Sequence, residues 1–362
     1  MAEAYESGPI SDERLVDGSV RGDTDEVLDT LLRAGAQRSA ALGLDYRRLW
    51  GELAAVATTG GKRRPAIFLA AYRACGGADE QAASSVAAAI ELLHASFVIH
   101  DDVIDEDDVR RGRLNVNGSH TRLASAAGAT VASAEGYGRA AGVLAGDLAL
   151  AAALKTVATC PCPPSTMLAL LDLFDEALHV SAAGELGDVY LSLGVAPATV
   201  QQSLEMERRK TAAYSFTLPL QAGAVLAGAS SAVVDCCGEV GSSLGAAYQL
   251  VDDLLGVFGD PAVTGKSNLS DLRAGKQTPL LAHARTTSVW ADIAPYVGRG
   301  ELDDAGARHV RCRLVEGGSR DFVTELARDA ATRSVRLAQA SLPAPLVAVV
   351  ESAAQDLRAR IP

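Results

Sequence analysis

Two clusters of aspartates stand where apolar runs end, and carboxylates in that pattern can hold a divalent cation. The first lies in HASFVIHDDVIDEDDVRRG, residues 94–112. Ile90, Leu93, Phe97, Asp101 and Asp105 recur at steps of three and four, so on a helix they share one face. One stripe therefore passes from apolar to doubly anionic, with Asp102 about 100° round the axis at ~3.6 residues per turn. Asp101 and Asp105 repel at this spacing, and acidic residues at a helix C-terminus oppose its dipole. Such charge calls for compensation. The second cluster, in AYQLVDDLLGVFGD, sets Asp252 and Asp253 behind another apolar helical run. Two aspartate pairs facing each other make a dense set of hard oxygen ligands. Magnesium suits them, because it prefers carboxylates, water and phosphate oxygens.

Basic residues follow each cluster: Arg110 and Arg111 after the first, Lys266 and Lys276 after the second. Carboxylates for a metal, with cations beside them for phosphate, imply a diphosphate substrate. The apolar stripe below the carboxylates then serves as the wall of a hydrocarbon pocket. The residues by themselves point to an enzyme for a lipid diphosphate.

The elements that position these side chains are helices. The chain has 362 residues, 48% hydrophobic and 4% aromatic. Alanine and leucine dominate and period-two alternation is scarce, which favours an all-helical protein. The formal charge of −12 argues against a nucleic-acid partner, which needs a basic face. It leaves small anions open, since a few arginines or metal ions reverse the sign locally. No window reaches ~18 uninterrupted apolar residues, so no stable membrane insertion is expected. The start, MAEAYESGPISDERLVDGSV, has neither a basic beginning nor an apolar run, and no signal peptide is expected there. The six cysteines show no zinc spacing and read as reduced thiols of a cytoplasmic protein. Residues 1–22 are expected to be mobile, and a single helical domain to fill 23–362. Turns fall at CGGADE, NVNGSH and ATCPCPPST, with Asp79 and Ser165 as N-caps of the helices that follow.

Several motifs then stand in one order: GGKRRP (residues 60–65), DDVID, RRG, GDLAL (146–150), KT (210–211), YQLVDD, DDLLGVFGD and GKSNLSDLRAGK. In this order they resemble the trans-isoprenyl diphosphate synthases over about residues 25 to 355. The resemblance implies a bundle of mostly antiparallel helices around a central cavity, a homodimer, and about three Mg2+ per active site, with Mn2+ as a substitute. Members join an allylic diphosphate to isopentenyl diphosphate, head to tail. The resemblance puts Asp101, Asp105 and Asp252 on the metal, with Asp102 and Asp253 in support. It puts Arg110, Lys210 and Lys266 on the allylic diphosphate, and the allylic cation between Lys210, Thr211 and Gln249. Lys62, Arg64, His94 and Arg111 match the isopentenyl diphosphate positions, while His100 reads as helix-end packing.

Two departures stand out. GGKRRP is one residue shorter than the family's form, so Lys62 and Arg64 are two apart. On a helix they would point about 200° from each other, which calls for a loop, or for Arg63 as a substitute. Gly256 stands where many members carry the last aspartate of the second motif, and water is expected to complete that metal's shell. Product length is set by the pocket floor below the first cluster, at Leu93, Ser96 and Phe97. Ser96, five before Asp101, is small where short-product members carry an aromatic. The run resembles bacterial geranylgeranyl diphosphate synthases and implies a C20 product. A C15 (farnesyl) product and a terpene cyclase on the same fold are the alternatives.

Overall fold

The structure is a computed structural model that describes residues 18–261 and 268–362. Residues 1–17 of the expected mobile segment lie outside the described residues, as does Lys266. Among the described residues the architecture is all-α apart from one two-stranded ladder. The chain divides into two compact units. The first holds described residues up to Leu69 and Gly77–Leu171, and the second holds Ala70–Gly76 and Asp172–Pro362.

In the first unit, α1 (Gly18–Ala40), α2 (Leu44–Thr58) and the start of α3 (Arg63–Ala74) precede α4 (Glu80–Ile104). As expected, Asp79 caps α4, its Oδ1 accepting from the Ala82 N–H at 3.0 Å. The first half of α4 is rich in buried alanines, Ala82, Ala83 and Ala87 to Ala89, which favour helix and let neighbours come close. After α4, strands β1 (Val109–Arg110) and β2 (Arg113–Leu114) form a hairpin that leads into α5 (Val116–Ala126) and α6 (Val131–Ala158). α6 meets α4 through glycine: a Cβ on Gly146 would lie 2.2 Å from His100 Nε2. His100 is thus a packing residue at the helix end, 3.4 Å from Asp147. Both α4 and α6 are long and apolar enough to cross a membrane by length and composition, but 83% of that window in α4 is buried inside the protein.

Helix α7 (Pro164–Ser192) continues into the second unit. It already runs at Ser165, the expected cap, because Pro164 suits a first helical position: its φ is preset and its missing N–H costs nothing there. There follow α8 (Val200–Glu207), a ten-residue π-helix (Arg208–Thr217), α9 (Leu218–Leu226) and α10 (Ser231–Phe258). α11 (Ser270–Ala274), α12 (Pro279–Ala284), α13 (Trp290–Ile293), α14 (Asp304–Glu316), α15 (Ser319–Ser341) and α16 (Ala344–Ala359) complete the chain. Leu250, Val251, Leu254 and Val257 of α10 pack with Leu272, Leu280, Leu281, Val310, Leu314 and Val323 into its core. Each such leucine contributes about 2 kcal/mol by leaving water, and together they fix α10, which carries the second aspartate pair.

Candidate active site

The first cluster receives its compensating charge from Arg110. Its Nε donates to Asp102 Oδ1 at 2.8 Å and its Nη2 to Asp101 Oδ2 at 3.1 Å. The hairpin makes this possible. Arg111 and Gly112 both have positive φ, 52° and 69°, the signature of a two-residue type I′ turn. The RRG motif is therefore a turn that folds Arg110 back onto the helix end. Asp102 is buried, and burial holds its carboxyl above the usual range against the pull of Arg110. Asp105 closes α4 as its C-cap, donating its N–H to Asp101 O at 2.8 Å, and its side chain is exposed.

GGKRRP also resolves in backbone terms. Lys62 lies in a loop at φ 51°, and α3 begins only at Arg63. The 200° separation therefore does not apply. Lys62 Nζ donates to Ala57 O at 2.8 Å and lies 3.6 Å from Glu91, a carboxylate buried on α4. Arg64 is buried, and both cations act on Glu91 and on His94, one turn further along α4. Arg63 is half-buried at the first position of α3. Burial pushes Glu91 up against Lys62 and Arg64. Burial, then the charges of Arg64, Arg110 and Lys62, holds His94 well below its ordinary value, so it is neutral at pH 7. A cavity of about 200 Å³ opens here, lined by His94, Asp102, Arg110, Arg111, Arg113 and Asn115 among others. Sequence reasoning missed Glu91 and Arg113; the i, i+3 step from Glu91 to His94 was the available signal.

The second cluster is enclosed. Asp252, Asp253 and Gln249 are all buried on α10, and Gln249 Nε2 donates to Asp253 Oδ1 at 3.1 Å. Asp253 Oδ2 is buried with no donor. Its neighbour is another acid, Glu207, at the end of α8. Burial, then Asp253, pushes Glu207 well above the carboxylate range, and Asp253 is raised by burial first and further by Asp271 and Asp252. Lys210 and Thr211 sit in the π-helix, a form frequent at functional sites. Lys210 Nζ bonds Asp188 at 2.7 Å and Glu185 at 3.1 Å. Gly184 lets α7 come this close, since a Cβ there would lie 2.2 Å from Lys210 N. Glu185, Asp188, Glu207 and Asp271 were not singled out from sequence. Glu185 and Asp188 share an i, i+3 face, but their partner is remote in the chain.

By donor chemistry a buried carboxylate oxygen among further carboxylates suits a hard divalent cation, although no group of three or more acid, histidine or cysteine side chains among the described residues is already arranged to hold one. At the second cluster Asp252 and Asp253 would hold it, and at the first Asp101 and Asp105. Of the floor residues, Leu93 and Ser96 are buried in the first unit and Phe97 is half-exposed.

An all-helical fold that carries one aspartate pair, Asp101 and Asp102, tied to Arg110, and a second, Asp252 and Asp253, buried on α10, fits an isoprenoid-handling transferase. The profile of the polyprenyl synthetase family matches residues 49–295, and the chain belongs to that family, the trans-isoprenyl diphosphate synthases. It is similar to the geranylfarnesyl diphosphate synthase of Aeropyrum pernix, 34% identical over 78% of this chain and 84% of that one. It is also 31% identical to the geranylgeranyl diphosphate synthase of Methanosarcina mazei, over 74% of this chain and 76% of that one. Among solved structures, geranylgeranyl pyrophosphate synthase from Corynebacterium glutamicum, complexed with isoprenyl diphosphate and magnesium, superposes with a TM-score of 0.84. That match is 27% identical and covers 94% of this chain and 98% of the other. The chain is a prenyl diphosphate synthase, a transferase of isoprenoid biosynthesis.

Proposed function

We propose that this synthase condenses isopentenyl diphosphate with dimethylallyl, geranyl and farnesyl diphosphates and stops at the C20 product, geranylgeranyl diphosphate. The observation that carries condensation is the cavity walled by His94, Arg110, Arg111 and Arg113. A cyclase has no use for such a second diphosphate site. Lys62, Arg64 and Arg111 supply the charge that binds isopentenyl diphosphate. His94, neutral, offers an N–H without adding to a crowded positive field. Magnesium, when bound, stabilises the diphosphate that leaves the allylic substrate. Lys210, held in place by Asp188 and Glu185, meets that diphosphate with its ammonium. The Thr211 hydroxyl and the Gln249 carbonyl orient their dipoles toward the allylic cation. The isopentenyl double bond then attacks, and the departing diphosphate takes the proton. The small, buried Ser96 supports C20, because no aromatic stands five residues before Asp101. The exposed apolar side chains of α6, Val131, Tyr137, Val143 and Leu144, suit burial against a second copy, and the reading includes a homodimer.

The test offers C5, C10 and C15 starters separately with isopentenyl diphosphate and Mg2+, and reads the products by mass spectrometry. A C20 diphosphate from all three is expected. Arrest at C15 overturns the length, and hydrocarbon formed without isopentenyl diphosphate makes the chain a cyclase. Phe97→Ala, which removes the one half-exposed floor side chain, is expected to lengthen the product. An unchanged product from an active variant excludes Phe97 as the floor.

A further inference from the structure

Glu91 stands in the middle of α4 among Ala87, Ala88, Ala89, Ile90, Leu92 and Leu93, all buried and apolar. Its own side chain is only 3% exposed. A carboxylate in such surroundings is costly unless it is paired. Its partner is Lys62, whose Nζ lies 3.6 Å from Glu91 Oε1 and whose side chain is 13% exposed. Lys62 meets it from an unfavourable backbone. Its φ of 51° lies in the left-handed region, which residues other than glycine, asparagine and aspartate seldom adopt. Such a residue persists only where its surroundings hold it. Two contacts hold this one, the Ala57 carbonyl at 2.8 Å and the Glu91 carboxylate. A second carboxylate, Asp25 of α1, is 4.0 Å from Nζ but 56% exposed, so water screens it. Glu91 also stands one turn before His94, which lines the basic cavity.

We infer that Glu91 is a positioning residue of the isopentenyl diphosphate site: it draws the Lys62 ammonium inward and fixes a lysine that the shortened GGKRRP run would otherwise leave misdirected. The inference rests on the reading above of Lys62 as a ligand of that diphosphate. An ammonium has three N–H donors. Ala57 O takes one and Glu91 attracts another, so the group is oriented as well as charged. Glu91 acts through Lys62 and touches no reacting atom. Without it the buried ammonium loses its counter-charge and turns outward, toward Asp25 and water. The competing role is that of a plain counter-charge, which weakens the pull of the site on an anion. The two roles give opposite changes in affinity.

The experiment measures steady-state kinetics of the full chain with Mg2+, varying isopentenyl diphosphate and geranyl diphosphate in turn. Glu91→Gln keeps the shape and removes the charge. It is expected to raise KM for isopentenyl diphosphate about tenfold, with kcat and KM for geranyl diphosphate within about twofold of wild type. Lys62→Met is expected to raise the same KM at least as far. The double variant is expected to go no further than Lys62→Met alone, because Glu91 then has nothing left to position. Asp25→Asn is expected to leave these constants at wild type. Circular dichroism establishes that each variant is folded, and if Glu91→Gln is not, Glu91→Met carries the same comparison. An unchanged or lowered KM for isopentenyl diphosphate in the folded Glu91 variant overturns the inference, the lowered value making Glu91 a plain counter-charge. Losses that add in the double variant overturn it too, since Glu91 then acts apart from Lys62. So does a rise in both KM values with a fall in kcat, which makes its role one of general structure. If the unaltered chain lengthens no allylic starter, the synthase reading fails first. If it does and Glu91→Gln changes nothing, only this inference falls.

Discussion

Asp101 and Asp102 are bridged by an arginine eight and nine residues further on, whereas among the described residues Asp253 has further acids, Glu207 and Asp271, acting on it as well as Asp252. The first cluster is assembled locally, by a helix end and a two-residue turn, and its charge is largely answered within the chain. The second draws Glu207 from α8 and Asp271 from α11, and Asp253 keeps an oxygen without a donor. Lys210, the lysine of the KT motif, is held by two other carboxylates. The difference is one of readiness. The first cluster is a compensated structure that must give up part of an ion pair to bind metal. In the second, the acids that act on Asp253 raise its carboxyl along with burial, and a bound cation is expected to oppose that.

The largest expected effects fall on catalysis and treat both clusters alike. Chelation of divalent metal is expected to abolish condensation and its return to restore it. Asp101→Asn and Asp252→Asn are each expected to lose on the order of 100-fold or more in kcat. Equal kcat in either variant would remove that residue from the metal site.

Stability without metal is where the clusters should part. Arg110→Met takes away the guanidinium that Asp101 and the buried Asp102 share, at an expected cost of about 3 kcal/mol. Asp253→Asn removes a charge from the over-acidic group and provides an amide donor toward Glu207. Its expected effect is a gain of about 1 kcal/mol in the metal-free protein. Thermal unfolding of both variants in chelator tests this, and a loss of stability in Asp253→Asn would collapse the contrast.

The same contrast explains what could be read from the sequence. The all-helical fold, the Asp79 cap, the packing role of His100 and the stripe ending at Asp101 follow from periodicity and local rules. The hairpin at Arg111–Gly112 was visible only as a basic motif, because positive φ at an arginine runs against its preference. Lys62 was harder for the same reason: helical arithmetic sends it away from Arg64, and a left-handed residue brings it back. Glu207, Glu185 and Asp188 stand outside every motif, and Asp271 stands inside GKSNLSDLRAGK with no role legible from spacing. They become site residues through a π-helix and long-range packing, which no short spacing encodes.

The smallest expected effect concerns His94, on the basic side of the first cluster, and it sharpens the claim that local charge there is already arranged. Burial and three cations hold its imidazole well below 6.5. Between that depressed value and 6.5, the unfolded chain binds a proton that the folded chain refuses. Stability is therefore fully present above pH ~6.5 and falls as the pH drops through this window, with a limiting slope of about 1.4 kcal/mol per pH unit. His94→Gln keeps an N–H donor but cannot titrate, so its stability should fall less steeply from pH 6.5 downward. Urea unfolding of the two proteins between pH 5 and 7 measures the difference. Parallel curves would mean that His94 takes up its proton in the folded protein. The neutral donor assigned to isopentenyl diphosphate would then be a charged one.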